Sequence, residues 1–424
     1  MNLSKFSVFT AASLLIIAGL LGVSCSDDDK PTAAPVTVLT YNTHLFEGSN
    51  AVYANAIAGN DTIVYEDDIR SEFIAQKLET CGADIVALQE LWACDRPKWF
   101  AERLKKVYPY SYYYTDQCEE VEVTFETLKL EVTKAGTIAF VTTCLTETKR
   151  KPCWDFLKKL PGSLLKDNVM DTAQKYAVKL PEVQEAGKNV IKKYRLMNGL
   201  LLLSKYQIEM PMFHEFPAGR TQTEDDSLAG KGIITATIVL PDGLRFRVGV
   251  THANCNLGGQ CPANIADLTY WADIGDLAYW TIMGAKIGPA IMMGDLNVSD
   301  TDTAKYNQMV NIFAGVGALD AVRQLNKDNS ATVDRAKNLL HQHFFPKKPD
   351  DEYPPATRLD YVFYRPDGPG LTLKPESAKV ITDWKYVPGD GKNVEMDLSD
   401  HYPVMVTFSL WTGPKPITPV APQH

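Results

Sequence analysis

Short apolar runs, each ending in a polar side chain, recur along this chain and limit the folds open to it. DIVALQE (84–90) and AIMMGDLN (290–297) are apolar enough to be strands in the middle of a sheet. Between such runs, apolar residues in 67–80, 97–107 and 263–284 have helical spacing. This alternation predicts a layered α/β or α+β fold and argues against a helix bundle or an all-β sandwich. The predicted strands are 36–41, 84–90, 199–208, 232–254 as a hairpin, 290–297, 358–365 and 401–410.

Length and charge set broad bounds. The chain has 424 residues, of which 45% are hydrophobic, so a large core in one or two domains is expected. Its net charge is -9 and its pI is about 5.4. An acidic protein repels phosphate backbones unless a basic patch or a cation intervenes. The composition therefore disfavours nonspecific nucleic-acid binding but leaves a phosphate bridged by a metal open.

The first residues have the layout of a secretory signal. Lys5 is followed by an apolar segment, 6–24, that is short for a membrane span. Because the segment ends at Cys25, it resembles a bacterial lipoprotein signal. We predict a signal peptide over 1–24, then a lipidated cysteine and flexible tether over 25–35, which would anchor an exported protein to the bacterial cell envelope. The alternative is an ordinary cleaved signal without lipid.

The cysteine content is consistent with export, where thiols can oxidise. The chain has eight cysteines, so an odd number remains besides Cys25, and at least one thiol stays free or pairs elsewhere. Cys255 and Cys261 flank a flexible glycine-containing loop, and they are the predicted disulfide pair.

Two segments break the alternation of strands and helices. Residues 111–195 are rich in Lys and Glu, and we predict an insertion there with a helical run at 164–194. The Pro-rich tail 412–424 is predicted to be disordered. The tyrosine-rich stretch 108–114 fits either an edge strand with packed tyrosines, which we favour, or a patch at a lipid interface.

Polar side chains suited to metal binding or proton transfer lie at the ends of most predicted strands. Strands of one sheet end on common edges, so these side chains can converge on one crevice. Glu90 and Asn42 offer the oxygen ligands that Mg²⁺ prefers. His401 with Asp360 could take a proton from water at neutral pH. The full set is Asn42, Glu90, His252, Asp295, Asn297, Asp360, Asp400 and His401.

Other hydrolase signatures are missing from the sequence. The triplet SDH (399–401) cannot form a serine-protease triad, because three adjacent residues cannot turn their side chains toward one another. The sequence contains no Gly-x-Ser-x-Gly elbow, no His-Glu-x-x-His and no phosphate-binding loop of the Gly-x-x-x-x-Gly-Lys type.

The order of these short motifs resembles the endonuclease/exonuclease/phosphatase superfamily. Its members include deoxyribonucleases, abasic-site endonucleases, inositol-polyphosphate phosphatases and neutral sphingomyelinases. The resemblance spans most of the predicted mature chain except 111–195, and it implies one catalytic domain over 36–411. It also implies a four-layer α/β/β/α sandwich of two mixed sheets, with the active site at one end of both. The motifs are TYN, LQE, TH, GDLN, RLDY and SDHYPV, in that order from residue 40 to residue 404.

The resemblance assigns a metal site to three of the polar residues. Glu90 would bind a central Mg²⁺ ion with Asn42 assisting, and Asp400 would be a further ligand of the metal or its water. Mn²⁺ or Ca²⁺ could substitute for Mg²⁺.

It also assigns catalytic roles, for in-line attack of water on a phosphodiester. His401 would be the general base, paired with Asp360, and Asp295 would orient the attacking water. Asn297 would hold the scissile phosphate. His252 would contact the phosphate or help to protonate the leaving oxygen.

The substrate predicted from the resemblance is a phospholipid, as in the sphingomyelinase C-like branch. TYN, the segment starting at Asn198 and the Lys231-Gly232 pair look like that branch, and Asn254 stands where the branch usually has Gln. Asn198, Lys231 and Asn254 are therefore the predicted substrate-binding residues. The alternatives are an exported nuclease, an inositol-phosphate phosphatase and a non-catalytic surface binding lipoprotein; no protein partner is predicted.

Overall fold

The computed structural model of the protein describes most of the predicted catalytic domain. The described residues are 33–46, 66–114, 198–216, 230–253, 271–280, 288–325, 331–344, 353–388 and 394–412, with only the backbone of 120–122 and 192–194. Several predictions lie outside them: the signal peptide, Cys25, Asn254, the Cys255–Cys261 pair and the end of the tail. The domain boundaries stay predictions.

Strands are the commonest elements in the described part of the chain. The strands are β1 (Ala33–Leu45), β2 (Ile85–Leu91), β3 (Tyr110–Tyr112), β4 (Glu120–Glu122), β5 (Lys192–Tyr194), β6 (Leu201–Ser204), β7 (Gln207–Glu215), β8 (Gly232–Val239), β9 (Arg245–His252), β10 (Ala290–Asp295), β11 (Leu319–Asp320), β12 (Asp360–Arg365), β13 (Asp367–Gly368), β14 (Leu371–Val380), β15 (Lys385–Tyr386), β16 (Met396–Asp397) and β17 (Val404–Trp411). The helices are α1 (Asp67–Thr80), α2 (Arg96–Arg103), α3 (271–280), α4 (Thr303–Ala314), α5 (Ala321–Leu325) and α6 (Leu339–Phe344).

The described strands form two large mixed sheets and two short ribbons. The first sheet has seven strands in the order β13-β14-β17-β1-β2-β6-β3, and the second has six in the order β11-β12-β10-β9-β8-β7. In the first sheet β1 and β2 run parallel, and in the second β9 and β10 do. The other neighbouring strands are antiparallel.

Side chains along the central strands point alternately to the two faces of each sheet, and both faces are buried. On β1, Val38 lies in the core between the sheets and Leu39 lies in the core on the outer side. On β10, Ile291 and Met293 point between the sheets and Met292 points outward. Both faces are buried, because these strands are nearly continuous apolar runs.

Helices cover the outer face of each sheet. Ile74 and Leu78 of α1 and Phe100 of α2 pack on the outside of the first sheet. Leu277 of α3 and Phe313 of α4 pack on the outside of the second. The layers are helix, sheet, sheet and helix, so the predicted α/β/β/α sandwich is confirmed.

The prediction of a single strand over 199–208 is wrong, because the chain passes from one sheet to the other within this segment. β6 ends at Ser204 in the first sheet, and β7 starts at Gln207 on the edge of the second. The Ser204 hydroxyl accepts a hydrogen bond from the Tyr206 N–H (2.9 Å), and the Lys205 ammonium lies 3.1 Å from Asp84. This polar turn carries the chain across the end of the core.

Smaller differences concern boundaries and faces. β1 begins inside the predicted tether, because Ala33 pairs with Leu410 of β17. Helix α1 has its predicted limits, and within it the charged Arg70 is buried whereas the apolar Ile69 is 39% exposed. Cys81 is a free thiol.

Only the ends of the predicted insertion are described. Most of the predicted helical run 164–194 lies outside the described residues, and its last three residues form β5, paired with β4. Tyr108 is buried, and its hydroxyl donates to the Leu78 carbonyl (3.0 Å), whereas Tyr110 on the edge strand β3 is 42% exposed. Within the described ranges, no helix has both the length and the apolar character to cross a membrane.

Candidate active site

The predicted metal-binding and catalytic residues meet at one end of the sandwich, between the two sheets. In the first sheet, β1 and β2 are parallel neighbours and carry Asn42 and Glu90. In the second sheet, the register places Asp295 beside both His252 and Asp360. The turn before β17 adds Asp400 and His401.

The Asn42 amide joins the two sheets at the centre of the site. Its Nδ2 donates to Glu90 Oε1 (2.7 Å) and to Asp295 Oδ2 (3.0 Å). Its Oδ1 accepts the backbone N–H of His44 (3.1 Å). The amide nitrogen therefore faces the carboxylates, and Asn42 could give its oxygen to a metal only after rotation of the amide.

His401 and Asp360 form the predicted pair. His401 Nδ1 lies 2.8 Å from Asp360 Oδ2, which leaves Nε2 facing the site at 3.8 Å from Asp295 Oδ2. Burial alone would lower the pKa of His401, but the carboxylates of Asp360, Asp400 and Asp295 raise it well above its usual value. Because Asp360 occupies Nδ1, proton exchange with a substrate or water is left to Nε2.

His252 faces the same carboxylates from the opposite side. Its Nε2 lies 3.7 Å from Glu90 Oε1 and 3.8 Å from Asp295 Oδ2. Burial lowers the pKa of His252 well below its usual value, and the nearby Lys231 ammonium lowers it further. His252 is therefore a neutral imidazole that can donate or accept a hydrogen bond.

The buried carboxylates form a site that fits a cation. Burial raises the pKa of Glu90 to about 7, and Asp400 adds to the effect. Burial and the Asp360 carboxylate raise the pKa of Asp295 to about 6. Glu90, Asp295 and His252 each offer a donor atom within 4.8 Å of the others. A divalent cation would offset this concentrated negative charge.

Asn297 and Lys231 converge on a single backbone carbonyl. Asn297 Nδ2 donates to the Ala253 oxygen (3.0 Å), and the Lys231 ammonium donates to the same oxygen (3.1 Å). The backbone N–H of Asn297 also donates to Asp295 Oδ1 (2.8 Å). The structure thus brings a predicted substrate-binding lysine next to the predicted phosphate-holding asparagine.

Among the described residues, Asn198 forms no hydrogen bond with Asn297, Lys231 or the site carboxylates. Its Nδ2 donates to the Tyr114 carbonyl (3.4 Å), and its Oδ1 accepts the Leu200 N–H (2.9 Å). These contacts shape the turn before β6, and a substrate role for Asn198 stays a prediction.

Several site residues have an unusual backbone conformation. His44, Glu90 and Asn297 all have positive φ, at 50°, 60° and 52°. Non-glycine residues rarely adopt this conformation, and it is common at functional sites, where the surrounding structure holds the strain.

Three buried residues of the site were missed by the sequence analysis. His44 lies 3.2 Å from Asp400 Oδ1, and His341 of α6 lies 3.9 Å from Asp400 Oδ2. Arg70, fully buried, donates to the Thr43 carbonyl (3.2 Å) and the Leu398 carbonyl (3.0 Å). His44 could have been found, because it is two positions after the Asn of TYN on the same strand. No motif marks the other two.

A family model supports what the motifs imply. The sequence model of the Endonuclease/Exonuclease/phosphatase family matches residues 39–401. This match spans the site from β1 to His401. Among curated protein sequences, none matches the chain at a significant level.

Solved structures show the same fold. Beta toxin from Staphylococcus aureus is 17% identical with a TM-score of 0.53, and sphingomyelinase C from Streptomyces griseocarneus is 19% identical with a TM-score of 0.51. A doubly substituted beta toxin from Staphylococcus aureus, with bound magnesium ions, is 15% identical with a TM-score of 0.51. Each similarity covers 88% of this chain and 99% of the other.

Proposed function

Because the chain belongs to the endonuclease/exonuclease/phosphatase family, we propose that it is a metal-dependent phosphodiesterase. One observation carries the proposal: carboxylates from both sheets surround an imidazole that is already paired with an aspartate. His401 contacts Asp360 at 2.8 Å, while Asn42 joins Glu90 to Asp295 across the sheets. Such a site can hold a cation and remove a proton from water.

The cation would be held mainly by oxygen donors. Glu90 and Asp295 would be its central ligands, Asp400 and His252 would lie at the edge, and Asn42 would contribute after rotating its amide. Oxygen donors favour Mg²⁺, and a structurally similar beta toxin contains magnesium ions; Mn²⁺ or Ca²⁺ would substitute. A bound divalent cation supplies positive charge that polarises a phosphoryl oxygen.

The side chains then divide the work of hydrolysis. The charges of Asp400 and Asp295 contribute to the raised pKa of His401, and a cation bound beside them would offset that effect and favour the neutral ring. His401 Nε2 then takes a proton from water while the water oxygen bonds to phosphorus, and Asp360 holds the imidazole in the right tautomer. Asp295 orients that water.

His252, with Asn297, hydrogen-bonds the phosphoryl group as the P–O bond to the leaving group breaks. The leaving oxygen takes a proton from solvent to become the alcohol, and His401 returns its proton to solvent. The products are a phosphomonoester and an alcohol.

The proposed substrate is a sphingomyelin-like phospholipid. Its support is the similarity in fold to sphingomyelinase C, together with an acidic chain that suits bulk nucleic acid poorly. Lipid attachment at Cys25 would place the site near membranes; it remains a prediction that cell fractionation of Cys25→Ala would test. A nuclease is the alternative. Of the lysines at 146–160 and 188–195 that could line a nucleic-acid groove, the structure describes only the backbone of Lys192 and Lys193.

The test is a parallel assay of the mature chain with Mg²⁺. The substrates are sphingomyelin, double-stranded DNA, an inositol phosphate and a chromogenic phosphodiester. We expect sphingomyelin turnover that falls by about 10²–10⁴-fold in His401→Ala, since this removes the general base. His343→Ala, an exposed histidine of α6, is the control that should keep activity.

Other outcomes of the assay would change the assignment. Cleavage of DNA alone would replace the phospholipid with nucleic acid, and release of inorganic phosphate from the inositol phosphate alone would indicate a phosphatase. Turnover of none of the four by a folded protein would favour a binding lipoprotein.

A further inference from the structure

Asp400 has a histidine facing each of its two carboxylate oxygens. His44 Nδ1 lies 3.2 Å from Oδ1, and His341 Nδ1 lies 3.9 Å from Oδ2. The Ser399 hydroxyl also contacts Oδ1, at 3.4 Å. Both imidazoles are buried, whereas Asp400 is only partly buried. A carboxylate flanked by two fixed imidazoles has little freedom to turn.

His44 is held rigidly on the cation side of this arrangement. Its backbone N–H donates to Asn42 Oδ1 (3.1 Å), and its carbonyl accepts from the Arg70 guanidinium (2.5 Å). Its ring lies close to the rings of Phe46 and Phe344, with centroids 4.4 Å and 5.3 Å away. The same Nδ1 is 3.7 Å from Glu90 Oε2, so one imidazole faces two carboxylates of the site.

His341 is held from the other side by the start of α6. Its backbone N–H donates to Asn338 Oδ1 (2.8 Å). Asn338 Nδ2 in turn donates to the Ser399 carbonyl (2.8 Å). One asparagine therefore fixes both the histidine and the turn that carries Asp400.

We propose that His44 and His341 are positioning residues that hold the Asp400 carboxylate toward the cation next to Glu90. The inference rests on the proposed cation site. Each imidazole acts through Nδ1, the ring nitrogen that lies nearest to its carboxylate oxygen, and is not itself a ligand. Without these imidazoles the carboxylate turns away, and the site binds a cation more weakly. Partners that orient ligands in this way typically change metal affinity by about 10–100-fold.

The experiment measures Mn²⁺ binding to the mature chain without substrate, by the loss of the free-ion signal in electron paramagnetic resonance. His44→Leu and His341→Leu keep an apolar side chain but remove the donor, and each should raise the Kd for Mn²⁺ by about 10-fold or more. Asparagine places an amide N–H near the position of Nδ1, so His44→Asn and His341→Asn should stay within about 3-fold of wild type. The exposed His343→Asn, on the same helix as His341, is the matched control and should not change the Kd.

The outcomes separate the two claims. If the wild-type protein binds no Mn²⁺, the proposed cation site is wrong and this inference falls with it. If the wild type binds Mn²⁺ and folded Leu variants bind equally well, only the positioning role is wrong. Asn variants as weak as the Leu variants would show that the imidazoles are ligands themselves. Should one Leu variant not fold, the other tests the claim from the opposite oxygen of Asp400.

Discussion

At Gly294 the backbone of β10 passes so close to β9 that no side chain fits between them. A Cβ atom there would lie 2.0 Å from the Thr251 carbonyl oxygen, and the residue has φ of 156°. The next residue, Asp295, is held between Asn42 and the Asn297 N–H. The glycine of GDLN therefore lets the strand end approach its neighbour and sets the position of a site carboxylate.

Gly294→Ala is predicted to destabilise the fold and impair the site. Pushing β10 away from Thr251 should cost about 1–3 kcal/mol and displace Asp295. The control is Gly275→Ala in α3, where a Cβ meets nothing within 4 Å and alanine should be neutral or stabilise by about 0.5–1 kcal/mol. Thermal unfolding and the phosphodiesterase assay measure both effects. Equal stability and activity of the two variants would contradict this explanation of the motif.

At the scale of elements, a buried ion pair ties β12 to α5. The Arg358 guanidinium, just before β12, bonds both oxygens of Asp320 at 3.2 Å and 2.5 Å and lies 4.6 Å from the centre of the Tyr361 ring. Asp320 also accepts the N–H groups of Val322 and Arg323 at the start of α5. Arg358 thus anchors the segment from which Asp360 reaches the site.

Arg358→Met should lower the free energy of unfolding by about 3–5 kcal/mol, because it leaves the Asp320 carboxylate buried without its partner. Arg358→Met combined with Asp320→Asn should recover part of this loss, since no unpaired charge remains and the amide oxygen can still cap α5. Arg323→Met, at an exposed position on α5, is the control and should cost about 1 kcal/mol or less. Denaturant unfolding measures the free energy of unfolding of each variant. A double variant less stable than Arg358→Met would argue against the electrostatic cause.

At the scale of the whole molecule, the candidate site lies where the two sheets meet. Glu90 comes from the first sheet and Asp295 from the second, and the hydrogen bonds of Asn42 cross between them. A cation held by both carboxylates would link the two halves of the sandwich and offset charges that burial disfavours.

Mg²⁺ should therefore raise the melting temperature of the whole domain. Binding stabilises the folded state by about 2.7 kcal/mol at a free concentration of 100 times Kd, and excess chelator should abolish the gain. Glu90→Gln should lose most of it, because a central ligand charge is removed. Asp84 lies at the opposite end of the segment DIVALQE (84–90) from Glu90 and pairs with Lys205, so Asp84→Asn should keep the gain in melting temperature. Thermal unfolding with and without Mg²⁺ is the measurement, and an unchanged wild-type melting temperature would count against the cation site.

From the sequence alone, local patterns predicted a layered α/β fold and most polar residues of the candidate site, whereas the four layers were implied by the resemblance of the motifs. Apolar runs buried on two faces identify central strands, and polar residues at their ends identify one edge of the sheets. Asn42, Glu90, Asp295, Asp360 and His401 were found in this way, and the structure brings all of them together.

Tertiary structure decided what depends on contacts between distant segments. The switch of 199–208 from one sheet to the other follows from two pairings: β6 pairs with β2, which lies far earlier in the sequence, and β7 pairs with β8, the next strand along the chain. His44 and His341 meet only because β1 and α6 pack on either side of the turn that carries Asp400. Nothing in the sequence distinguishes Arg70 from other residues of α1, and only the packed structure shows that its guanidinium donates to the Leu398 carbonyl. Periodicity shows which face of an element is buried, but only packing decides what that face meets.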